Sequence, residues 1–152
     1  MLAEPPVRYA PDSAARALDS EPSAIDECHV HIGRLVAHLR AALLHGSQQY
    51  ERCHVLFTDA ERRYVGGTAL GTGGIANLVL KPRDILKAGF ALGARGMILA
   101  HNHPSGDCRP SKDDIEATER LAWLGRMVDI SLLDHFIVTA HAVYSMRAGG
   151  LI

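Results

Sequence analysis

Cysteine is scarce in this 152-residue sequence: Cys28, Cys53 and Cys108 are an odd number in no paired spacing. That excludes a disulfide framework and suits a reducing compartment, so the expected location is the cytoplasm. Net charge is lacking too, since 16 Lys and Arg stand against 17 Asp and Glu. No general field then draws the chain to nucleic acid or to an anionic membrane. No run of about 18 apolar residues occurs, and the first residues lack the charged start and continuous apolar stretch of a signal peptide, so neither membrane insertion nor export is expected. Repeats and low-complexity tracts are missing as well. What the chain does have is apolar mass: 47% hydrophobic residues at one-domain length are enough to bury a core.

The apolar residues fall into distinct periods. Residues 1–22 carry three prolines in MLAEPPVRYAPDS and no sustained period, which predicts an irregular arm with at most a helical turn around Ala14 to Leu18. From Ser23 the pattern changes. Ile25, Cys28, Ile32, Leu35, Leu39 and Leu43 recur at steps of three and four, with Ser23 and Asp26 spaced as a capping box and Gly46 as a stop. An amphipathic helix follows, and residues 23–152 are read as one domain. CHVLFTD from Cys53, RRYVGGTAL from Arg62 and NLVLK from Asn77 read as strands, the first two as a hairpin. A second helix is predicted from Pro82, ending by Gly93 or Gly96; GMILA is then a buried strand that runs into His101. A third helix spans Ser111 to about Val128, and SLLDHFIVT and AVYSMR close the chain as strands. Helices interleaved with hairpins and crossovers imply an α/β sandwich around a mixed sheet.

Chemistry concentrates in AHNHPSGDCRPSKDD, Ala100 to Asp114. His101 and His103 are two apart, and on an extended segment residues i and i+2 point to one side, so both rings can reach one metal ion. His29 and His31 share that spacing but lie on the first helix, where two residues diverge by about 200°. That pair is not expected to share a metal. Ser111 and Asp114 are spaced as an ordinary capping box. Yet Asp114 also heads the stripe Ala117, Leu121, Leu124 and Val128, which points its carboxylate inward and demands a cation or donors nearby. Two His and one Asp leave a fourth position open for water, as in catalytic zinc sites.

His101-x-His103-Pro104, six residues, Ser111, two residues, Asp114 resembles the JAMM (MPN-plus) zinc metalloprotease signature, and His-Asn-His-Pro-Ser-Gly-Asp is the form found in RadC-like JAB domain proteins. VLFTDAERR, KPRDILKAGFALGA, PSKDDIEATERL and LLDHFIV also resemble the RadC pattern, extending the likeness over residues 23–152. The resemblance implies a JAB/MPN-like (cytidine deaminase-like) sandwich, a mixed sheet flanked by helices. It implies zinc ligands at His101, His103 and Asp114, with Ser111 helping to hold the oxyanion as water attacks a carbonyl. It also implies a glutamate on the preceding strand as general base. Aligned without gaps, that position is occupied by Thr68, whose hydroxyl cannot hold a proton at neutral pH and return it.

Other carboxylates offer no clear replacement. Glu61 lies an odd seven residues from Thr68 and Asp59 nine, both far from the expected metal, while Asp107 in the Ser-Gly-Asp turn is expected to bond its own backbone. His135 is read as a buried histidine satisfied by Asp134 or backbone, with orientation of a ligand as the alternative. Cys108 is read as a small loop residue, and GGTALGTGG as hairpin turns, since no Lys-Ser/Thr pair follows it.

Three functions stay open. The first is a JAMM-type hydrolase acting on a peptide or isopeptide bond of an unidentified protein substrate, impaired by Thr68. The second is a zinc-binding interaction module without catalysis. The third is a DNA-repair accessory by RadC analogy. RadC-like chains commonly carry a helix-hairpin-helix segment before this domain; none is expected within these residues, and direct nucleic-acid binding is not expected.

Overall fold

The computed structural model describes residues 24–46, 49–70 and 81–152. The first helix, α1, runs Ala24–Leu43. It is followed by β1 (Cys53–Thr58) and β2 (Tyr64–Leu70), then α2 (Pro82–Ala91) and β3 (Gly96–Asn102). Last come α3 (Lys112–Met127), β4 (Ser131–Val138) and β5 (Val143–Ser145). The strands form one sheet in the order β2-β1-β3-β4-β5, with β3 and β4 parallel and the other neighbours antiparallel. The parallel pair forces a crossover, which α3 supplies across one face of the sheet.

Strand alternation divides the core in two. Val55, Phe57, Met97 and Leu99 point toward α2 and α3, where they pack with Ile85, Leu121 and Ile130. Leu56, Ala100, Phe136 and Val138 point to the other face, under Leu39 and Leu43 of α1. Period two in the strands thus meets one apolar stripe per helix, which makes the mixed α/β sandwich. Among the described residues no helix is long and apolar enough to cross a membrane.

Several expected elements keep their places with trimmed ends. Strand β2 begins at Tyr64 because Arg62, at φ 64°, and the Asp59–Arg63 bonds make the hairpin turn. Strand β5 is limited to Val143–Ser145. The α3 stripe differs more: Thr118, Leu121, Ala122 and Gly125 are buried, while Ala117, Leu124 and Val128 are half-buried. The helix is rotated so that a threonine, read as polar in sequence, faces the sheet. The arm over 1–22, the Ser23–Asp26 cap and the strand NLVLK fall outside the described residues, apart from Asp26 within α1 and Lys81 before α2.

Candidate metal centre

Strand β3 ends at the site. His101 is buried on the α3 face, one turn of the pleat beyond Leu99. His103 follows after the strand, where its backbone N–H still donates to the Val138 carbonyl at the end of β4, 3.1 Å. This extended path keeps both rings on one side: their Nε2 atoms are 2.9 Å apart. The chain then turns through Ser105 and Gly106, the latter at φ 81°, with the Gly106 N–H donating to the His103 carbonyl. The turn returns the Asp107 carbonyl to His103 Nδ1 at 2.7 Å. A carbonyl only accepts, so His103 carries its proton on Nδ1 and presents a bare Nε2 when neutral.

Asp114 reaches the same point from α3. Ser111 is the N-cap: its hydroxyl accepts from the Asp114 N–H at 3.1 Å, while its own N–H and hydroxyl donate to Asp114 Oδ2 at 2.7 and 2.6 Å. The capping box is therefore real, and it does not compete with a ligand role. It secures Oδ2 and leaves Oδ1 facing His101 Nε2 at 3.1 Å; His103 Nε2 is 3.3 Å from Oδ2. His101, His103 and Asp114 thus form a group able to hold a metal ion, with their ligand atoms all within 4.8 Å of one another. Donors about 2.0–2.2 Å from a tetrahedral ion lie about 3.3–3.6 Å from each other. The observed 2.9 Å between the two Nε2 atoms and 3.1 Å from His101 Nε2 to Asp114 Oδ1 are a little shorter, while the 3.3 Å contact of His103 Nε2 is to Oδ2.

Electrostatics agree with the geometry. Burial pushes the Asp114 carboxyl up, but hydrogen bonds that His101 and His103 donate when their Nε2 atoms carry protons, together with that from Ser111, outweigh it and hold it well below the usual range. Burial lowers His103, yet Asp114, the Asp107 carbonyl and the charge of Glu51 together raise it. His135, fully buried on β4, is pushed well below the ordinary histidine value by burial and by His101. Its ring does not bond Asp134, which instead accepts from the backbone N–H groups of His135 and Arg147 and from the Ser145 hydroxyl. His135 Nε2 is 2.8 Å from His101 Nδ1. The expected satisfaction by Asp134 or backbone gives way to contact with the ligand.

The carboxylates considered in sequence are elsewhere engaged. Asp59 and Glu61 both pair with Arg63 in the β1–β2 turn. Asp107 accepts from the Arg109 side chain and backbone, which hold its carboxyl at about 2. Thr68 lies on β2 opposite Val55, which in turn faces Leu99, and its hydroxyl donates to the Ala69 carbonyl at 3.4 Å. The strand residue on the rung of Cys53 and His101 is Leu70. Thr68 is thus two strands from His101 and one pleat step off its rung. His29 and His31 fall within α1, on the helical backbone expected to separate them. Cys108 is buried and free in the loop.

One carboxylate that the motifs did not single out is close. In the β1–β3 ladder Cys53 pairs with His101. The Asn102 N–H donates to the Arg52 carbonyl at 3.2 Å, so the pairing extends by one step to Arg52 and Asn102, and Glu51 is the next residue along. Its charge reaches His103, whose protonated ring it favours. Arg52 donates to the carbonyls of Leu43 and His45 after α1. Asn102, between the two histidines, secures this segment: its Oδ1 accepts from the Arg52 N–H at 2.6 Å and its Nδ2 donates to the Tyr50 carbonyl at 3.1 Å.

A family model described as RadC-like JAB domain matches residues 19–151. The chain is similar to a UPF0758 protein of Finegoldia magna, 39% identical over 104 residues, which cover 68% of this chain and 47% of that protein. It is 44% identical over 97 residues to one of Aromatoleum aromaticum, covering 64% and 43%. It is 34% identical over 140 residues to one of Leptothrix cholodnii, covering 91% and 57%. The chain spans about half the length of the curated relatives it matches.

Proposed function

We propose, from the premise that this chain belongs to the RadC-like JAB domain family, that it is a zinc-dependent hydrolase of a peptide or isopeptide bond in which Glu51 moves the proton. The observation that carries the reading is the convergence of His101 Nε2, His103 Nε2 and a carboxylate oxygen of Asp114, all within 4.8 Å of one another. Two imidazoles and a carboxylate are the donor set of an open catalytic zinc site. A zinc ion held there would supply Lewis acidity, lowering the pKa of a water and polarising a carbonyl.

The chain's own groups then divide the work. Glu51, whose charge reaches His103, takes the proton from the attacking water and returns it to the leaving nitrogen. Thr68 has no part in this transfer. Ser111 holds the oxyanion by turning its hydroxyl away from Asp114 Oδ2, which keeps the Ser111 N–H as donor. Asp107 and Arg109 neutralise each other and stiffen the turn that aims His103.

Thr68 at the expected base position favours a zinc module without catalysis; a proton carrier at Glu51 would supply the missing step. Free Cys53 and Cys108 fit a cytoplasmic enzyme. The test is cleavage of a peptide library and of isopeptide-linked protein conjugates by the zinc-loaded chain. Turnover abolished by a chelator and by Glu51→Gln supports the reading; a zinc-loaded wild type that cleaves none of them overturns it.

A further inference from the structure

We propose that His135 is the positioning residue of this centre: through a buried chain of hydrogen bonds it decides which nitrogen of His101 carries the proton, and so leaves Nε2 bare for the metal. The inference rests on the metal-centre reading above and adds the device that prepares it.

The chain starts at a single proton. Thr118 Oγ1 approaches three partners: the Asp114 carbonyl one helical turn before it, His135 Nδ1 at 2.6 Å and Met146 Sδ at 3.5 Å. The carbonyl only accepts, and the thioether is a weak acceptor, so the hydroxyl proton goes to Asp114. The oxygen's lone pairs then face His135, whose Nδ1 must donate. His135 is buried, and among the described residues no carboxylate touches its ring; a neutral ring that donates through Nδ1 has no second proton. Its Nε2 is an acceptor. Across 2.8 Å, His101 Nδ1 donates to it, and a neutral His101 is left with a lone pair on Nε2.

That lone pair is aimed at the centre, where His103 Nε2 is bare for a parallel reason, the Asp107 carbonyl on its Nδ1. Without this chain His101 could adopt the other tautomer, with an N–H directed at the ion. His135 thus acts on the ligand, not on the substrate. The same chain ties the ligand from β3 to the main chain of the ligand from α3, so Thr118 and His135 also fix the distance between them.

The first test needs no variant and no turnover. Long-range ¹⁵N–¹H spectra of the metal-free protein, recorded on the alkaline plateau where the ring signals no longer change with pH, report the tautomer of each ring. The expected result is His101 protonated on Nδ1; protonation on Nε2 overturns the proposal. The second test compares two amides. His135→Asn reaches only the Nδ1 position, keeping Thr118 and losing the acceptor for His101. His135→Gln reaches the Nε2 position and keeps that acceptor. Zinc affinity, read by competition with a chromophoric chelator, is expected to fall about 10- to 100-fold in the Asn variant and to stay close to wild type in the Gln variant. A merely structural role predicts equal losses, and equal affinities in the two folded variants overturn the proposal. Thr118→Val, nearly isosteric, is expected to weaken zinc in the same direction and serves if the His135 variants fail to fold. A protein with the expected His101 tautomer that hydrolyses nothing contradicts the hydrolase reading alone.

Discussion

Glu51 lies just before β1 and His103 just after β3, two steps beyond the Cys53–His101 rung, and the charge of Glu51 acts on the His103 ring. Fifty-two residues apart in sequence, they are joined by strand pairing and by the Asn102 amide that clamps residues 50–52. In the proposed reaction Glu51 is the proton carrier beside the three converging donors, and since it is not one of those donors, metal binding and catalysis can be tested apart.

Glu51→Gln is therefore expected to keep its metal and lose about 10²- to 10⁴-fold in kcat/KM, the usual size of general acid–base catalysis. Thr68→Val is expected to change little. Elemental analysis beside steady-state kinetics checks both; equal losses in the two variants contradict the assignment.

Ser111 and Asp114 share the cap but not the ligand role. Ser111→Ala and Asp114→Ala are each expected to lower the unfolding free energy of the metal-free protein by about 1 kcal/mol, the scale of a lost helix cap. Only Asp114→Ala is expected to abolish metal binding. Urea unfolding with and without zinc distinguishes them: zinc should raise the midpoint of Ser111→Ala and leave that of Asp114→Ala unmoved.

The pH dependence of the metal-free protein has two limbs. Asp114 is depressed, so it stabilises above its unfolded pKa near 3.9 and that contribution is lost as pH falls toward the folded value. His103 is raised, so it stabilises below its unfolded pKa near 6.5 and that contribution is lost as pH rises through the folded value. The pair thus supports the fold most between about pH 4 and 6.5. Zinc affinity moves the other way and rises with pH as His103 loses its proton. Urea midpoints across this range, compared with Asp114→Ala, should differ most inside the window; a constant difference refutes the pairing.

Gly125→Ala tests how α3 is seated. A Cβ there would run into the Ile130 carbonyl oxygen and lie 2.7 Å from Met97 Cε. In an open helix this change stabilises by about 1 kcal/mol; here overpacking is expected to reverse the sign and destabilise by about 1–3 kcal/mol. A urea midpoint above wild type contradicts the close approach of α3 to the β4 entrance.

Much of this architecture is legible locally. The periods of α1, α2, β3 and β4 follow from apolar spacing, and the triad follows from two histidines leaving a strand and an aspartate entering a helix. The pieces that escape are those whose partners are distant. Glu51 sits in the unpatterned Tyr50-Glu51-Arg52 step before β1, and only the register with β3 gives it a role. Thr118 breaks the apolar stripe as a polar residue, yet it is fully buried because its hydroxyl serves Asp114 and His135. Asp134 beside His135 suggested a local pair, but alternation sends the two side chains to opposite faces. A cap and a ligand also looked like rival explanations of Asp114, because sequence does not show that a carboxylate's two oxygens face different partners.

The most direct measurement is the metal content of the purified protein by elemental mass spectrometry, beside His103→Ala and Asp114→Ala. About one zinc per chain in the wild type, lost in both variants, is the predicted result for a three-ligand centre. A folded wild type that takes up no metal after exposure to zinc would contradict it, leaving Ser111 and Asp114 as a helix cap beside two hydrogen-bonded histidines.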